Sequence, residues 1–228
     1  MEELPNSLVM VGAPHIPRTW EVLLSHALTL VDEIAKYGRD EPFWTFGGGT
    51  VLMLRYGHRF SKDIDIFVPD PQSLGYVSPR LSEVAESIAD SYVETATNVK
   101  LFFPEGEIDF VAAPNLTTPG FVAELIGDRR IRVETSVEIV AKKMWHRGDR
   151  ITGRDIFDFA QVFVREPDAV MAAKRFMIRH CASLLAQLDV RRAALKKQFD
   201  AIDVLDFHQT FDDASSLVRH AMASMRST

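Results

Sequence analysis

From Thr19 to Tyr37 the apolar residues Leu23, Ala27, Leu30, Val31 and Ile34 recur at helical spacing, which predicts an amphipathic helix. A short aromatic and β-branched run over 42–46 ends in three glycines and reads as a strand. A helical pattern over 50–56 opens directly after them. Residues 63–68 alternate charged and apolar side chains, a strand pattern that Pro69-Asp70-Pro71 stops. Residues 81–92 read as a helix. Asn98–Phe103 and 107–112 read as two strands joined at Pro104-Glu105-Gly106, a hairpin. Helix, strand, helix, strand, helix, strand, strand is the order of a mixed α/β (α+β) sheet with flanking helices.

The pattern changes after about residue 113. A loop covers 114–120, Ile131-Arg132-Val133 reads as a last short strand, and the remainder is mostly helical. The predicted helices are Ser136–Arg147, 154–164, 167–180, 182–199 and 214–225. The expected organisation is an α/β core over 1–128 and a mostly helical C-terminal domain over 129–228 that completes the site and contacts the acceptor.

Charge sharpens this division. The net charge of −6 conceals 8 Lys+Arg against 19 Asp+Glu over 1–128, and 18 against 13 over 129–228. An acidic half joined to a basic half suits an enzyme that holds a cation and polyanionic substrates, or it is uneven surface charge without a partner. No run reaches the ~20 apolar residues needed to span a bilayer. Met1-Glu2-Glu3-Leu4-Pro5 lacks the basic start and apolar run of a signal peptide. The single cysteine, Cys181, has no partner within the chain and reads as a small apolar helix residue. These features predict a cytoplasmic protein with no membrane attachment.

Asp63 and Asp65 are two apart on a predicted strand, so both carboxylates point to one face while Ile64 and Ile66 point to the other. Like charges that close are costly unless a cation compensates them, and Mg²⁺ (or Mn²⁺) binds such hard oxygen donors together with substrate phosphates. An Asp-x-Asp alone is more often surface decoration. Gly47-Gly48-Gly49 changes that weighting, because bare amides at a strand-to-helix turn can cradle a triphosphate, and Thr50 adds a hydroxyl donor. Asp109, between Ile108 and Phe110, lies on a strand expected to neighbour that of Asp63. It serves as third ligand, as base, or as a plain edge charge; Glu107 shares its face and is the weaker candidate.

The ordered set Phe46-Gly47-Gly48-Gly49-Thr50 and Arg59-Phe60-Ser61-Lys62-Asp63-Ile64-Asp65 resembles the polymerase-beta-like nucleotidyltransferase superfamily. With Glu138-Ile139-Val140-Ala141-Lys142-Lys143 and Gly153-Arg154-Asp155-Ile156-Phe157-Asp158, it is similar more closely to the AbiEii/MenT toxin nucleotidyltransferases. The resemblance spans 46–158. It implies transfer of a nucleotide from a nucleoside triphosphate (NTP), with tRNA as acceptor, and an antitoxin encoded nearby. By position it makes Gly48 and Gly49 the glycine pair, Ser61 and Asp63 the Ser-x-Asp, and Asp65 the second metal carboxylate. Lys143 and Asp155 become catalytic candidates, the register against Lys142 staying open. On a helix from Ser136, Lys143 and Arg147 share one face, so triphosphate contact by Lys143, Arg147 and Arg154 is expected. Ile156, Phe159 and Phe163 are expected to face the core, with Asp155 and Asp158 projecting elsewhere.

The seven histidines, from His15 to His220, form no short metal-ligand spacing. Trp20, Trp44 and Trp145 read as core rather than base-stacking platforms. Arg191-Arg192 with Lys196-Lys197 makes a basic helix face that either meets RNA phosphates or is simply solvated. The leading expectation is an NTP:RNA nucleotidyltransferase toxin. Nucleotidylation of a small molecule or a protein, and a non-catalytic binding module, are the alternatives.

Overall fold

The computed structural model describes residues 19–37 and 42–227; the N-terminal segment and His15 lie outside the described residues. The chain forms two compact units. One comprises Met1–Tyr56, Ser61–Asn115 and Phe121–Glu134, the other Gly57–Phe60, Leu116–Gly120 and Thr135–Thr228.

In the first unit, α1 (Thr19–Tyr37), β1 (Thr45–Gly47), α2 (Gly48–Tyr56), β2 (Ile64–Val68) and α3 (Glu83–Ile88) precede β3 (Ser91–Thr95), β4 (Asn98–Phe103) and β5 (Gly106–Ala112). A hairpin of β6 (Phe121–Ile126) and β7 (Arg129–Glu134) follows. Among the described residues the seven strands form one mixed sheet in the order β3-β4-β5-β2-β1-β7-β6. β2 runs parallel to β5 and β1 parallel to β7, while the other neighbours are antiparallel. Strand alternation places Ile64, Ile66, Ile108 and Phe110 on one buried face. The apolar stripe of α1, with Leu23, Ala27 and Leu30 fully buried, packs on β2 and β5. The other face is thereby left to the carboxylates.

Several expectations are corrected. The helix read over 81–92 ends at Ile88, where Ala89 is extended, and Tyr92 belongs to β3. β3 is an edge strand with both faces largely exposed, so it carries no alternation to distinguish it from a helix. β6 was not legible for the same reason: it is the opposite edge, and Val122 and Leu125 are exposed. The strand after the first helix is shorter than expected and starts at Thr45, while α2 starts at Gly48 rather than Thr50.

In the second unit, α4 (Ser136–Arg147) is capped by Thr135, whose side chain accepts from the Glu138 N–H. α5 (Gly153–Arg165) opens on a capping box in which Thr152 and Asp155 satisfy each other's backbone donors. The helix expected over 167–180 breaks at Ala173 into α6 (Pro167–Ala172) and α7 (Lys174–Met177). That expected over 182–199 breaks at Arg191 into α8 (Cys181–Val190) and α9 (Arg192–Asp200). Neither break contains a glycine or proline. α10 (Phe211–Ser227) and α9 both pack on α5. Phe157, Phe199 and Phe211 make a chain of edge-on ring contacts at 5.3 and 5.6 Å. Residues 57–60 join this unit through the backbone, with Phe60 N–H donating to Asp203 O at 2.8 Å and Leu205 N–H to His58 O at 3.2 Å. No helix among the described residues is long and apolar enough to cross a membrane.

Candidate active site

Register lines up the acidic residues. Gly47 on β1 pairs with Asp65 on β2, Asp65 pairs with Asp109 on β5, and Asp109 pairs with Lys100 on β4. Residues opposite each other share a face, so these four form one row across the sheet. Asp63 is two residues before Asp65, and its Oδ1 accepts the Glu107 N–H at 3.2 Å.

The start of α2 is shaped around Asp65. Gly48 has φ of +76°, and a Cβ there would come within 1.8 Å of Asp65 Oδ2. Only a glycine meets both conditions. The Asp65 carboxylate therefore lies against the first turn of a helix, where its charge is favoured. Gly48→Ala is expected to lower stability by about 1–3 kcal/mol, since it combines left-handed strain with overpacking. Denaturant unfolding checks this, and a wild-type midpoint would refute it.

Thr50 is fully buried, and its hydroxyl donates to the Asp63 carbonyl at 2.6 Å while lying 3.2 Å from Ser61 Oγ. Ser61 N–H in turn donates to Met53 Sδ at 3.2 Å. These contacts fasten the segment before β2 onto α2. Arg55 donates to the Glu134 carbonyl and, at 2.9 Å, to Glu124 Oε1. Buried Glu134 receives the Thr45 hydroxyl at 2.8 Å beside Gly47.

Asp109 is held from both sides. Asn98 donates to its Oδ1, and the Lys100 ammonium is 2.9 Å from its Oδ2 and 2.6 Å from Glu107 Oε2. Burial pushes the Asp109 carboxyl above its ordinary value, against the pull of Lys100 and Asn98. Burial works against the charge of Lys100, but its bonds to Glu107 and Asp109 outweigh that and raise it.

The second unit carries its own charged network, entirely on the α4–α5 pair and residues 57–60. Asp158 is fully buried and accepts four bonds: Arg59 Nε at 2.7 Å and His58 Nε2 at 2.9 Å on Oδ1, Arg59 Nη2 at 2.8 Å and Lys143 Nζ at 2.5 Å on Oδ2. Lys143 also donates to Asp155 Oδ1 at 3.1 Å, as does Arg147 at 2.6 Å. Burial alone would raise both carboxyls. The surrounding cations reverse this and hold Asp155 below, and Asp158 well below, the ordinary value. Burial lowers His58, against its bond to Asp158. Since an ionised Asp158 only accepts, the His58 hydrogen is on Nε2.

The sequence over residues 30–224 matches the family described as the nucleotidyl transferase AbiEii toxin of a type IV toxin–antitoxin system. The chain belongs to the AbiEii nucleotidyltransferase toxin family. Membership makes it a transferase with an NTP substrate, a nucleotidyl-transfer role as toxin, and an antitoxin as its counterpart. No curated protein matches it. Among solved structures, JHP933 from Helicobacter pylori is 17% identical with a TM-score of 0.46, over 93% of this chain and 96% of that one. A candidate nucleotidyltransferase from the same organism is 18% identical with a TM-score of 0.44, over 91% and 97%.

Within this AbiEii-family chain the structure corrects one orientation. Asp155 and Asp158 do not project away from the core; both are fully buried on a helix that is enclosed over most of its circumference. Lys142 and Lys143 separate cleanly. Lys142 is buried toward Glu138 at 3.6 Å, whose carboxylate takes the Leu116 and Thr117 N–H groups; Lys143 turns to Asp155 and Asp158. Arg147 is half-exposed and Arg154 exposed. Lys100 and Asn98 were missed by sequence reasoning, although the two-residue turn at Pro104-Glu105 fixes the register that sets Lys100 opposite Asp109. Arg59, His58 and Asp158 were missed as a cluster because about a hundred residues separate them.

Proposed function

We propose that the protein transfers a nucleoside monophosphate from an NTP to RNA, tRNA in the first instance, using Mg²⁺ (or Mn²⁺) held by Asp63 and Asp65. The observation that carries this is the row of Gly47, Asp65 and Asp109, with the Asp65 carboxylate seated on Gly48 at the start of α2. The donor set fits the ion. Asp63 and Asp65 are hard oxygen donors on one face, and Mg²⁺ ordinarily takes one or two carboxylates and completes its shell with water and substrate phosphates. When bound, the cation supplies neutralisation of charge on the transferring phosphoryl group.

The backbone amides of Gly48 and Gly49 at the helix start are suited to phosphate oxygens. Lys143, Arg147 and Arg154 are our candidates for further triphosphate contact, with Asp155 holding Lys143 and Arg147 in place. An acceptor hydroxyl oxygen attacks the α-phosphorus and its proton passes to Asp109, which lies opposite Asp65 on the same face. The α–β bridging bond breaks, and its electron pair leaves with pyrophosphate. The basic C-terminal half offers phosphate-binding charge for the acceptor, including Arg191, Lys196 and Lys197 on an exposed face. Both substrates are cytoplasmic molecules, which sets the proposed location.

Incubation with each α-labelled NTP, Mg²⁺ and total tRNA is expected to label tRNA with one of the four, and chelation of the cation to prevent it. Label on a small molecule or on protein would move the acceptor and keep the chemistry. No label in any fraction with any NTP would sink the reading.

A further inference from the structure

Asp65, Glu107 and Asp109 share one face of the sheet, Asp63 just before β2 accepts the Glu107 N–H, and Lys100 is paired with Glu107 and Asp109. Its ammonium bridges Glu107 Oε2 at 2.6 Å and Asp109 Oδ2 at 2.9 Å. Asn98 holds the other Asp109 oxygen, so both oxygens of that carboxylate already face a donor. Lys100 is placed there by backbone register, not by a flexible reach: Val99 and Leu101 on either side are fully buried on the opposite face. Asp65 Oδ2 lies against Gly48 at the first turn of α2.

For Asp109 to ligate a dication, the ion would have to come within a few ångströms of an ammonium. Otherwise Lys100 would have to release two carboxylates at once. Like-charge repulsion opposes the first, and loss of two charge-assisted hydrogen bonds opposes the second.

We propose that Lys100 fills with its ammonium the place a second divalent cation would take, so that the site holds one such cation, on Asp63 and Asp65. Asp109 is then outside the metal's ligand set and is kept in position by Lys100 and Asn98. Lys100 is a positioning residue. This inference rests on the metal site proposed above.

Titration of the full chain with Mn²⁺ alone, with the free ion counted by electron paramagnetic resonance, tests it. The wild-type chain is expected to bind one Mn²⁺ and Lys100→Met two, as Asp109 and Glu107 are released. Lys100→Arg, which keeps the cation, stays at one. Asp109→Asn leaves the wild-type affinity unchanged, whereas Asp65→Ala weakens it by about tenfold or more. Two Mn²⁺ in the wild-type chain overturn this inference and leave the Asp63–Asp65 site standing, as does an Asp109→Asn variant that loses affinity. A Lys100→Met variant with native circular dichroism that still binds one ion also overturns it. No Mn²⁺ uptake by the wild-type chain removes the metal site and the inference together. Should Lys100→Met not fold, the wild-type count and the Asp109→Asn affinity decide.

Discussion

Asp65→Ala is expected to lower nucleotidyl transfer by about 10³-fold or more while the protein remains folded. Removing a single preorganised donor from a transition-state site ordinarily costs about 10²–10³-fold. Asp65 does more, since it lies opposite Asp109 and is proposed to hold the cation with Asp63. Folding is expected to tolerate the change. Asp65 is only half-buried, and relief of its repulsion with neighbouring carboxylates offsets the loss of its favourable place at the start of α2. The melting temperature should therefore stay close to that of the wild type. Asp65→Asn, which keeps shape and loses charge, should lose nearly as much activity. Label transfer measured as kcat/KM and growth inhibition on induced expression are the two readouts. Undiminished transfer by either variant would remove Asp65 from the chemistry.

Asp158→Ala is expected to act on stability first, with a loss of about 3–5 kcal/mol. Taking one partner from a buried ion pair strands the other, and here Arg59, His58 and Lys143 would all lose an acceptor inside the second unit. Urea unfolding measures this, and a loss below 1 kcal/mol would show that the network contributes little. Asp158→Asn should restore only part of the loss, because one amide oxygen cannot replace four accepting positions.

The same network predicts the effect of acid. His58 has a folded pKa below its ordinary 6.5, so the unfolded chain binds the proton first, and stability falls as pH drops below 6.5. Asp155 and Asp158 are also depressed. Their contribution is intact above the ordinary carboxylate range near pH 4 and is lost as pH falls through their lower folded values. Melting temperature should thus decline in two stages on acidification. His58→Gln, whose amide can still donate to Asp158, should diminish the first stage and keep the second.

Elements with one buried and one polar face were legible, and edges were not. α1, α4 and β4 match their expected bounds residue for residue, and α1 and β4 each bury one regular stripe. β3 and β6 carry no such stripe, being the two outer strands. α5 misled in the opposite direction. Asp155 and Asp158 were expected to project away from the core, yet both are buried because cations from residues 58–59 and from α4 meet them there. Periodicity records where apolar surface goes; it does not record that a buried carboxylate has four donors waiting.

The glycine run and Asp63-x-Asp65 determined, by spacing alone, that two carboxylates would share a face just after a glycine-led helix. Strand geometry leaves no other outcome once a strand forms. Local spacing also set Lys143 and Arg147 on one side of α4. What required the tertiary structure is everything that depends on register between distant segments. Parallel pairing of β2 with β5 brings Asp109 beside Asp65, antiparallel pairing with β4 brings Lys100 onto Asp109, and the Gly57–Phe60 segment brings Arg59 to Asp158. The physical reason is range. Side-chain direction is fixed by a residue's own backbone, whereas the charge that answers a buried carboxylate comes from another strand or helix, placed by the packing of the whole unit.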